Sequence, residues 1–410
     1  MSAPPQRTEH VTCLGCGCAC DDITVVTGTA MILDAENSCR LGRAWFGDGV
    51  VPAVIRSRGR AVAVETALAD AAALLAAARR SLVFLAGDIS CETQRVAIAI
   101  ADRLGAVVHS PTSEIVASVL AAQRRGRATA TLAEIRLRAG LVVWWGVDPN
   151  ERYPRFVSRY LAAVDGAPPR CGIAVDLGAR RGPADADERL AVPPTAEVAA
   201  LGAMRGAVLG HDPRGTVPAP AVILARRLAE APYTALVHDA EPVGPSADPD
   251  RNDALIALAQ ALNGPSRCAL LSLRGGGNRS GADAVLTWQT GFPVAVDFSR
   301  GYPCYRPRDD PATLLARREV DAALVVGAPD TVPRAVAQAL GQVPTVAIGP
   351  RASTAAFGAA IAVDTGVAGI HEPGTAFRMD DVPLPLSAPL AGPLTALAAM
   401  HALADRLAEP

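Results

Sequence analysis

The fold is decided by residues 81–104, which read Ser81-Leu-Val-Phe-Leu-Ala-Gly87 followed by Asp88-Ile-Ser-Cys-Glu-Thr-Gln-Arg-Val-Ala-Ile-Ala-Ile-Ala-Asp-Arg-Leu104. Leu82–Ala86 is a continuous apolar run, which is typical of a strand buried on both faces. Glu92–Leu104 carries apolar residues at helical spacing and predicts an amphipathic helix. A buried strand followed directly by a helix is the repeating unit of a parallel α/β sheet.

The same alternation continues along most of the chain. Further strands are predicted at Leu141–Trp145, Ile173–Asp176, Ala235–His238, Ala269–Leu273, Val294–Asp297, Ala323–Val326, Thr345–Ile348 and Ala360–Val363. Further helices are predicted at Thr66–Arg80, Glu114–Gln123, Glu197–Val208, Ala221–Glu230, Asp253–Leu262, Pro333–Leu340 and Leu394–Leu407. The sequence therefore predicts an α/β protein with doubly wound, mostly parallel sheets in two sub-domains.

Composition divides the chain into four predicted parts, because 410 residues exceed one ordinary core. Residues 1–50 form a small Cys-rich β segment, and residues 51–210 and 211–385 form two Rossmann-like sub-domains. Residues 386–410 form a C-terminal helix after an extended, proline-rich connector at 383–390. The division is placed at the Pro-rich segment His211–Pro220, and the pattern leaves open whether the two sub-domains interleave.

Several predicted strands end in glycine, and two interpretations of this pattern stay open. The glycines are Gly87, Gly146, Gly275, Gly327 and Gly349. Glycine at a strand end allows a ligand to approach the backbone beyond the sheet. It also turns a strand into the following helix without any ligand.

Composition and charge argue against several classes of function. The formal net charge is −2, which is too near neutral for a nucleic-acid-binding protein. All 39 basic residues are arginine, so Schiff-base catalysis and P-loop ATP hydrolysis, which need lysine, are disfavoured. No apolar run reaches the roughly 18 residues of a membrane span, and the first residues lack a signal peptide's apolar region. We therefore expect a cytoplasmic protein.

Two kinds of hydrolase site are also disfavoured. The chain contains no Gly-x-Ser-x-Gly elbow, which a serine hydrolase of the α/β type would carry. Its six histidines are far apart and lack the spacing of a zinc hydrolase site. His371, beside Glu372, is expected to shape a surface loop.

The first forty residues contain a crowded set of cysteines: Cys13, Cys16, Cys18, Cys20 and Cys39. Cys13-x2-Cys16-x3-Cys20 with the more distant Cys39 offers four thiolates, enough for a tetrahedral zinc ion or a [4Fe-4S] cluster. The spacing favours the cluster and leaves Cys18 spare. A relic motif whose thiols bind no metal fits the same residues, so these alternatives stay open.

Long blocks of sequence carry a specific family resemblance. They are Cys13-Leu-Gly-Cys-Gly-Cys-Ala-Cys-Asp-Asp-Ile, Asn37-Ser-Cys-Arg-Leu-Gly, Gly87-Asp-Ile-Ser-Cys-Glu-Thr-Gln, Trp145-Gly-Val-Asp-Pro with Pro154-Arg, Leu286-Thr-Trp-Gln-Thr-Gly-Phe-Pro, Asp297-Phe-Ser-Arg-Gly-Tyr-Pro and Glu372-Pro-Gly-Thr-Ala-Phe-Arg-Met-Asp. In this order they resemble the B subunit of formylmethanofuran dehydrogenase, a member of the molybdopterin oxidoreductase superfamily. The resemblance extends from about residue 11 to residue 385.

The chain departs from that family where the metal is bound. The family places a cysteine or selenocysteine ligand of tungsten or molybdenum, and then a histidine, just before a helix that here begins Ser118-Val-Leu-Ala-Ala-Gln. Counting back places Glu114 at the ligand position and Ile115 at the histidine position. A carboxylate is a harder ligand than a thiolate, and isoleucine cannot relay a proton. Gly276 also replaces a histidine that the family carries in Arg-Gly-His-Gly-Asn.

Four residues in the matched blocks are implied by the resemblance to face a former pterin or substrate: Arg274, Asn278, Arg300 and Arg378. The alternative is that the arginines now pair with acidic neighbours such as Asp297 or Asp380. The superfamily completes its pterin site with a C-terminal β-barrel, which does not follow residue 385. We therefore expect no tungsten– or molybdenum–pterin cofactor in this chain.

The resemblance and the departures together predict a structural, non-redox subunit of a formyltransferase/hydrolase complex. Such a complex moves a formyl group from formyl-tetrahydromethanopterin through a furan amine carrier to formate. The resemblance implies a zinc amidohydrolase-like A subunit, a formyltransferase D subunit and a C subunit as partners, with the carrier nearby. Two alternatives stay open: an active dehydrogenase subunit with Glu114 as metal ligand and an iron–sulfur cluster, and an electron-transfer module that keeps only the cluster.

Overall fold

The computed structural model describes residues 4–212, 219–240 and 250–408, and the chain divides into two compact units. Unit 1 contains Met1–Val116, Gly276–Arg378 and Pro383–Pro410, and unit 2 contains Ala117–Gly275 and Met379–Val382. The two units therefore interleave along the chain. The segment His211–Pro220, where the division was placed from the sequence, belongs to unit 2, and its residues 213–218 lie outside the described residues.

The strands and helices are numbered in chain order. The strands are β1 (Gln6–Val11), β2 (Ile23–Thr27), β3 (Ile32–Glu36), β4 (Ile55–Ser57), β5 (Arg60–Ala61), β6 (Ser81–Leu85), β7 (Val107–His109), β8 (Leu141–Trp145), β9 (Cys171–Asp176), β10 (Glu188–Ala191), β11 (Thr234–Asp239), β12 (Cys268–Leu273), β13 (Val296–Asp297), β14 (Cys304–Tyr305), β15 (Ala322–Val326), β16 (Thr345–Gly349), β17 (Ile361–Asp364), β18 (Gly374–Phe377) and β19 (Pro383–Leu386). The α-helices are α1 (Arg40–Phe46), α2 (Val64–Ala77), α3 (Cys91–Leu104), α4 (Val116–Arg125), α5 (Leu132–Arg138), α6 (Pro149–Arg152), α7 (Phe156–Tyr160), α8 (Glu197–Val208), α9 (Ala219–Glu230), α10 (Arg251–Leu262), α11 (Arg279–Thr290), α12 (Pro311–Ala316), α13 (Arg334–Leu340) and α14 (Ala396–Ala408).

Unit 1 is built on a nine-stranded sheet in the order β14-β13-β7-β6-β15-β16-β17-β4-β5. The strands from β7 to β17 in this order run parallel, and the flanking strands are antiparallel. Successive side chains of β6 point to opposite faces, because the side-chain period of a strand is two. Val83 and Leu85 pack against α2, α3, α11 and α14, whereas Leu82 and Phe84 pack against α12 and α13.

Unit 2 is built on a five-stranded sheet in the order β10-β9-β8-β11-β12, in which all strands are parallel. The strands β8, β9 and β11 are almost wholly buried, which explains their continuous apolar sequences. Helices α8, α9 and α10 pack on this sheet through apolar residues such as Leu201, Leu224 and Leu255.

The predicted α/β fold with large parallel sheets is confirmed. The helix predicted at Glu114–Gln123 differs in its start, because Pro111–Ile115 forms a 3₁₀ turn before α4 begins at Val116. The extended connector predicted near residue 383 includes β19, which pairs with β18. Among the described residues, no helix is both long enough and apolar enough to cross a membrane.

Candidate functional site

The cysteines predicted to bind metal lie in unit 1 between β1 and β2 and at the start of α1. The loop Cys13–Cys20, called the cysteine loop below, is closed by a hydrogen bond from Cys13 N to Cys20 O (2.9 Å) and another from Ala19 N to Cys16 O (3.1 Å). Cys39 precedes α1, and its Sγ accepts a hydrogen bond from Gly42 N at 3.5 Å. The cysteine therefore caps the helix through its sulfur.

These thiols have the chemistry that a zinc ion or an iron–sulfur cluster needs, and Cys16, Cys20 and Cys39 lie near enough to Cys13 to interact with it electrostatically. Metal binding by this set stays a prediction. Burial raises the pKa of the Cys13 thiol, and a hydrogen bond with Cys16 together with burial raises the pKa of Cys18. A metal ion deprotonates the thiols that coordinate it, so these raised pKa values describe the thiols without a metal. In residues 4–212, 219–240 and 250–408, no three His, Cys, Asp or Glu side chains form a group that could hold a metal ion. All nine cysteines lie in these ranges, and none is in a disulfide.

The cysteine loop lies against the turn that precedes α11. Gly277 N donates a hydrogen bond to Leu14 O at 2.9 Å. A Cβ placed on Gly276 would overlap Leu14 O and lie 2.7 Å from Cys16 N. Backbone of the cysteine loop therefore occupies the space beside Gly276, the position at which the resemblance predicts a histidine in the family.

The position that the resemblance assigns to the metal ligand, Glu114, lies on the surface of unit 1. Glu114 is exposed at the end of the 3₁₀ turn that follows β7, and Ile115 is buried. Ser110 begins this turn by accepting a hydrogen bond from Thr112 N at 3.3 Å. The nearest histidine in sequence, His109, is fully buried, and burial lowers its pKa to about 4. That ring is therefore neutral at physiological pH.

The side chain of Asn278 is used within the protein. It is buried, its Nδ2 donates to Ile89 O at 2.9 Å, and its Oδ1 accepts from Phe377 N at 2.9 Å. Its backbone has a φ of 63°, which asparagine tolerates better than most residues. Asn278 thus ties the start of α3 to β18.

The three arginines implied by the resemblance have different surroundings. Arg300 is exposed, and its hydrogen bond with Tyr302 raises its pKa. Arg378 is buried in unit 1, whereas Arg274 is half-buried after β12 in unit 2. Asp297, a predicted neighbour of these arginines, forms an ion pair with Arg80 at 3.0 Å. A role of the arginines toward a pterin or substrate stays a prediction.

Asp88 follows Gly87 at the carboxyl end of β6, and sequence analysis did not single it out. Its backbone is left-handed with a φ of 62°, and its Oδ1 accepts a hydrogen bond from Trp45 Nε1 at 3.0 Å. Burial raises the pKa of Asp88 to about 6. Its place directly after a strand-ending glycine, within a matched block, was a signal that could have identified it.

Replacing Asp88 with asparagine is expected to stabilise the protein above pH 6. A carboxyl group whose pKa is raised on folding loses stability as the pH rises from its unfolded value near 4 to about 6. Asparagine keeps the acceptor for Trp45 and tolerates the left-handed backbone. We expect a gain of about 1–2 kcal/mol at pH 7.5, vanishing below about pH 4, in urea unfolding.

The exposed Asp34 provides the matched control for this charge removal. Asp34→Asn is expected to change stability by less than about 0.5 kcal/mol at every pH. A gain from Asp88→Asn that does not depend on pH would contradict the explanation by burial.

The neighbours His371 and Glu372 are both buried, which corrects the expectation of a surface loop at His371. Glu372 accepts hydrogen bonds from Ser90 Oγ at 2.9 Å and from Leu397 N at 3.2 Å, so it joins α3 to α14. His371 Nδ1 accepts from Val367 N at 3.1 Å, and its Nε2 lies 2.8 Å from a backbone oxygen. The buried His371 side chain therefore stabilises the loop between Val367 and His371 by hydrogen bonding.

No protein-family model matches the chain. The chain is 31% identical over 402 residues to the B subunit of the tungsten-containing formylmethanofuran dehydrogenase 2 of Methanocaldococcus jannaschii, and the alignment covers 92% of each protein. The protein of the same name from Methanococcus maripaludis is 29% identical, with 92% of this chain and 93% of that protein covered.

A solved structure is similar as well. A chain in the X-ray structure of the formyltransferase/hydrolase complex (FhcABCD) from Methylorubrum extorquens in complex with methylofuran superposes with a TM-score of 0.73 and 27% identity. The match covers 86% of this chain and 98% of that one. The resemblance predicted from the sequence blocks is confirmed. The chain belongs to the family of formylmethanofuran dehydrogenase B subunits.

Proposed function

We propose that this chain is a structural, non-redox subunit of a formyltransferase/hydrolase assembly. The observation that carries the proposal is the former metal-ligand position, where an exposed Glu114 stands beside a buried Ile115. Tungsten and molybdenum in this family are held by a sulfur or selenium ligand, which a carboxylate on the surface of the unit does not replace. Ile115 has no group that transfers a proton.

The proposed reaction needs no electron transfer. Formyl-tetrahydromethanopterin would give its formyl group to a furan amine carrier, and water would then release formate. The formyl carbon keeps its oxidation state in both steps, whereas a dehydrogenase exchanges two electrons with its substrate. A subunit in such an assembly has no chemical need for a tungsten–pterin or an iron–sulfur cluster.

The partners in this proposal are a zinc amidohydrolase-like A subunit for hydrolysis, a formyltransferase D subunit for transfer, and a C subunit. The chain would organise them and border the path of the carrier. Its similarity to a chain of a multi-subunit complex crystallised with methylofuran supports this role. A cytoplasmic location belongs to the same proposal, and the nine cysteines outside disulfides fit a reducing compartment.

An active dehydrogenase subunit is the second candidate. It is favoured by the 31% identity to a subunit whose name specifies tungsten. It would require Glu114 to serve as an unusual metal ligand, and Cys13, Cys16, Cys20 and Cys39 to bind a [4Fe-4S] cluster.

Metal content of the purified native assembly separates these candidates. We expect tungsten, molybdenum and iron far below one atom per chain by plasma mass spectrometry, because the sulfur or selenium ligand of the family is replaced by Glu114 and the proposed reaction transfers no electrons. A tungsten-containing formylmethanofuran dehydrogenase prepared in parallel controls for metal loss. Stoichiometric tungsten or molybdenum would contradict the proposal, and four irons per chain with a reversible potential would support an electron-transfer module.

A further inference from the structure

We infer that the cysteine loop Cys13–Cys20 is a plug that closes the carboxyl end of the unit 1 sheet, and that Gly276 is the residue that admits it. The inference rests on the proposed loss of redox chemistry, and it specifies which part of the chain lies at the carboxyl end of the unit 1 sheet. It assigns a structural role to the most conspicuous motif of the sequence.

The first observation is steric. A Cβ placed on Gly276 would overlap Leu14 O and would lie 2.7 Å from Cys16 N and 2.8 Å from Cys16 Cα. These neighbours are backbone atoms, which cannot rotate away as the end of a flexible side chain does. Any side chain at position 276 therefore requires the cysteine loop to move.

The second observation is that conformational freedom does not explain this glycine. Gly276 is absent from the residues of unit 1 with a positive φ, whereas the adjacent Gly277 has a φ of 71°. A larger residue at Gly277 would be strained by its backbone angles, but one at Gly276 is excluded by close approach alone. The glycine is explained by the loop that lies on it.

The third observation is that backbone hydrogen bonds tie the plug to the sheet. Gly277 N donates to Leu14 O at 2.9 Å, and Asp88 N donates to Gly277 O at 3.1 Å. The cysteine loop, the turn before α11 and the end of β6 therefore form three successive backbone layers. The N–H groups of Gly277 and Asp88 are thereby satisfied by backbone oxygens of the chain itself.

The loop is also held from its other side. A Cβ on Gly15 would lie 2.9 Å from Leu41 O and 3.2 Å from Trp45 Cβ, so α1 packs closely on the loop. Trp45 in turn donates to Asp88. The loop is confined between α1 and the turn at Gly276, and it cannot retreat from a new side chain without disturbing one of them.

The cysteine side chains also take part in the internal contacts of the loop. Cys13 Sγ accepts a hydrogen bond from Gly15 N at 3.4 Å within the loop, and Cys18 has its thiol hydrogen-bonded with Cys16. Cys13, Cys18 and Cys20 are buried. The sulfurs serve the packing of the loop.

The test restores the histidine of the family at position 276 in the assembled complex. Gly276→His should expel the loop, so that Cys18 and Cys20 react with iodoacetamide about tenfold faster or more in peptide-resolved mass spectrometry. The control is Gly202→His on α8, because Gly202 is exposed and a Cβ there meets nothing within 4 Å. Labelling of Cys18 and Cys20 should be unchanged in that variant.

Gly276→Ala gives an independent readout if the histidine variant fails to assemble. The same thiols should become more reactive, by a smaller factor, and the variant should melt at a lower temperature than Gly202→Ala. Unchanged labelling and melting in Gly276→Ala, or unchanged labelling in a folded Gly276→His, would overturn the plug. Such a failure would leave the proposed function standing, since metal content of the wild-type assembly tests that separately.

Discussion

Glu197→Ala is expected to lower the stability of unit 2 by about 3–5 kcal/mol, because it leaves a buried guanidinium without its counter-charge. Glu197 Oε1 accepts from Trp145 Nε1 at 2.8 Å and from Arg251 Nε at 2.6 Å, and Oε2 accepts from Arg180 Nη2 at 2.9 Å. The side chains of Glu197 and Arg251 are only 2% and 3% exposed. Burial lowers the pKa of Arg251, while Glu197 raises it.

The loss should appear as faster hydrogen exchange in peptides of β8, which carries Trp145, and as a lower urea midpoint. The matched control is Glu36→Ala, because Glu36 forms its ion pair with Arg7 on the surface. The side chains of Glu36 and Arg7 are 39% and 55% exposed. Exposed pairs contribute about 0–1 kcal/mol. A similar loss in both variants would show that burial does not determine the effect.

A double variant tests whether the instability of Glu197→Ala comes from leaving Arg251 charged and unpaired. Glu197→Leu with Arg251→Met should recover much of the stability lost in Glu197→Ala, because replacing both members of a buried ion pair by apolar residues is often neutral. A double variant as unstable as Glu197→Ala would instead assign the loss to packing around Trp145.

The buried strands were predictable because each is a continuous apolar run bounded by polar or glycine residues. Leu141–Trp145 has the bounds predicted from sequence, and the strand predicted at Leu82–Ala86 is displaced by one residue. Local composition is enough to predict such a strand, because a strand covered on both faces needs apolar residues at every position. The family resemblance was predictable for the same reason, because its blocks are local.

Helix α11 was not predicted, because its first turn, Arg279-Ser-Gly-Ala, has the composition of a loop. The structure explains why Gly281 lies in this first turn. A Cβ on Gly281 would lie 2.6 Å from Cγ of Asn278, so a side chain at position 281 would clash with Asn278. This requirement comes from a tertiary arrangement that fixes Asn278 against Ile89 and Phe377.

The arrangement of the candidate site was beyond sequence reasoning for a similar reason. Leu14 and Gly276 are far apart in the chain, and no periodicity or spacing predicts that one lies on the other. The resemblance predicts a histidine of the family at position 276, but the neighbours of that position are backbone atoms distant in sequence. The sequence therefore identified the candidate residues, and the structure identified which backbone atoms lie beside Gly276.

Gly349→Ala is expected to cost about 3 kcal/mol, because β16 ends in backbone-on-backbone contact. A Cβ on Gly349 would overlap Gly327 O and lie 2.6 Å from Gly327 Cα. Gly327, after β15, has a φ of 115°, and its own Cβ would overlap Gly87 O after β6. Three neighbouring strand ends are thus packed through glycine backbones.

At Gly87, Gly327 and Gly349 the close approach is thus made by the chain itself, which gives these strand-ending glycines a packing reason in addition to the two interpretations from the sequence. Overpacking by one methyl group must therefore displace a peptide unit, and the melting temperature of Gly349→Ala should fall by several degrees. Gly202→Ala is the matched control, because a Cβ there meets nothing within 4 Å and alanine favours the helix by roughly 0.5–1 kcal/mol. If Gly349→Ala melted at or above the wild-type temperature, the strand ends would have room for a side chain and a ligand-accessible edge would again be the better interpretation.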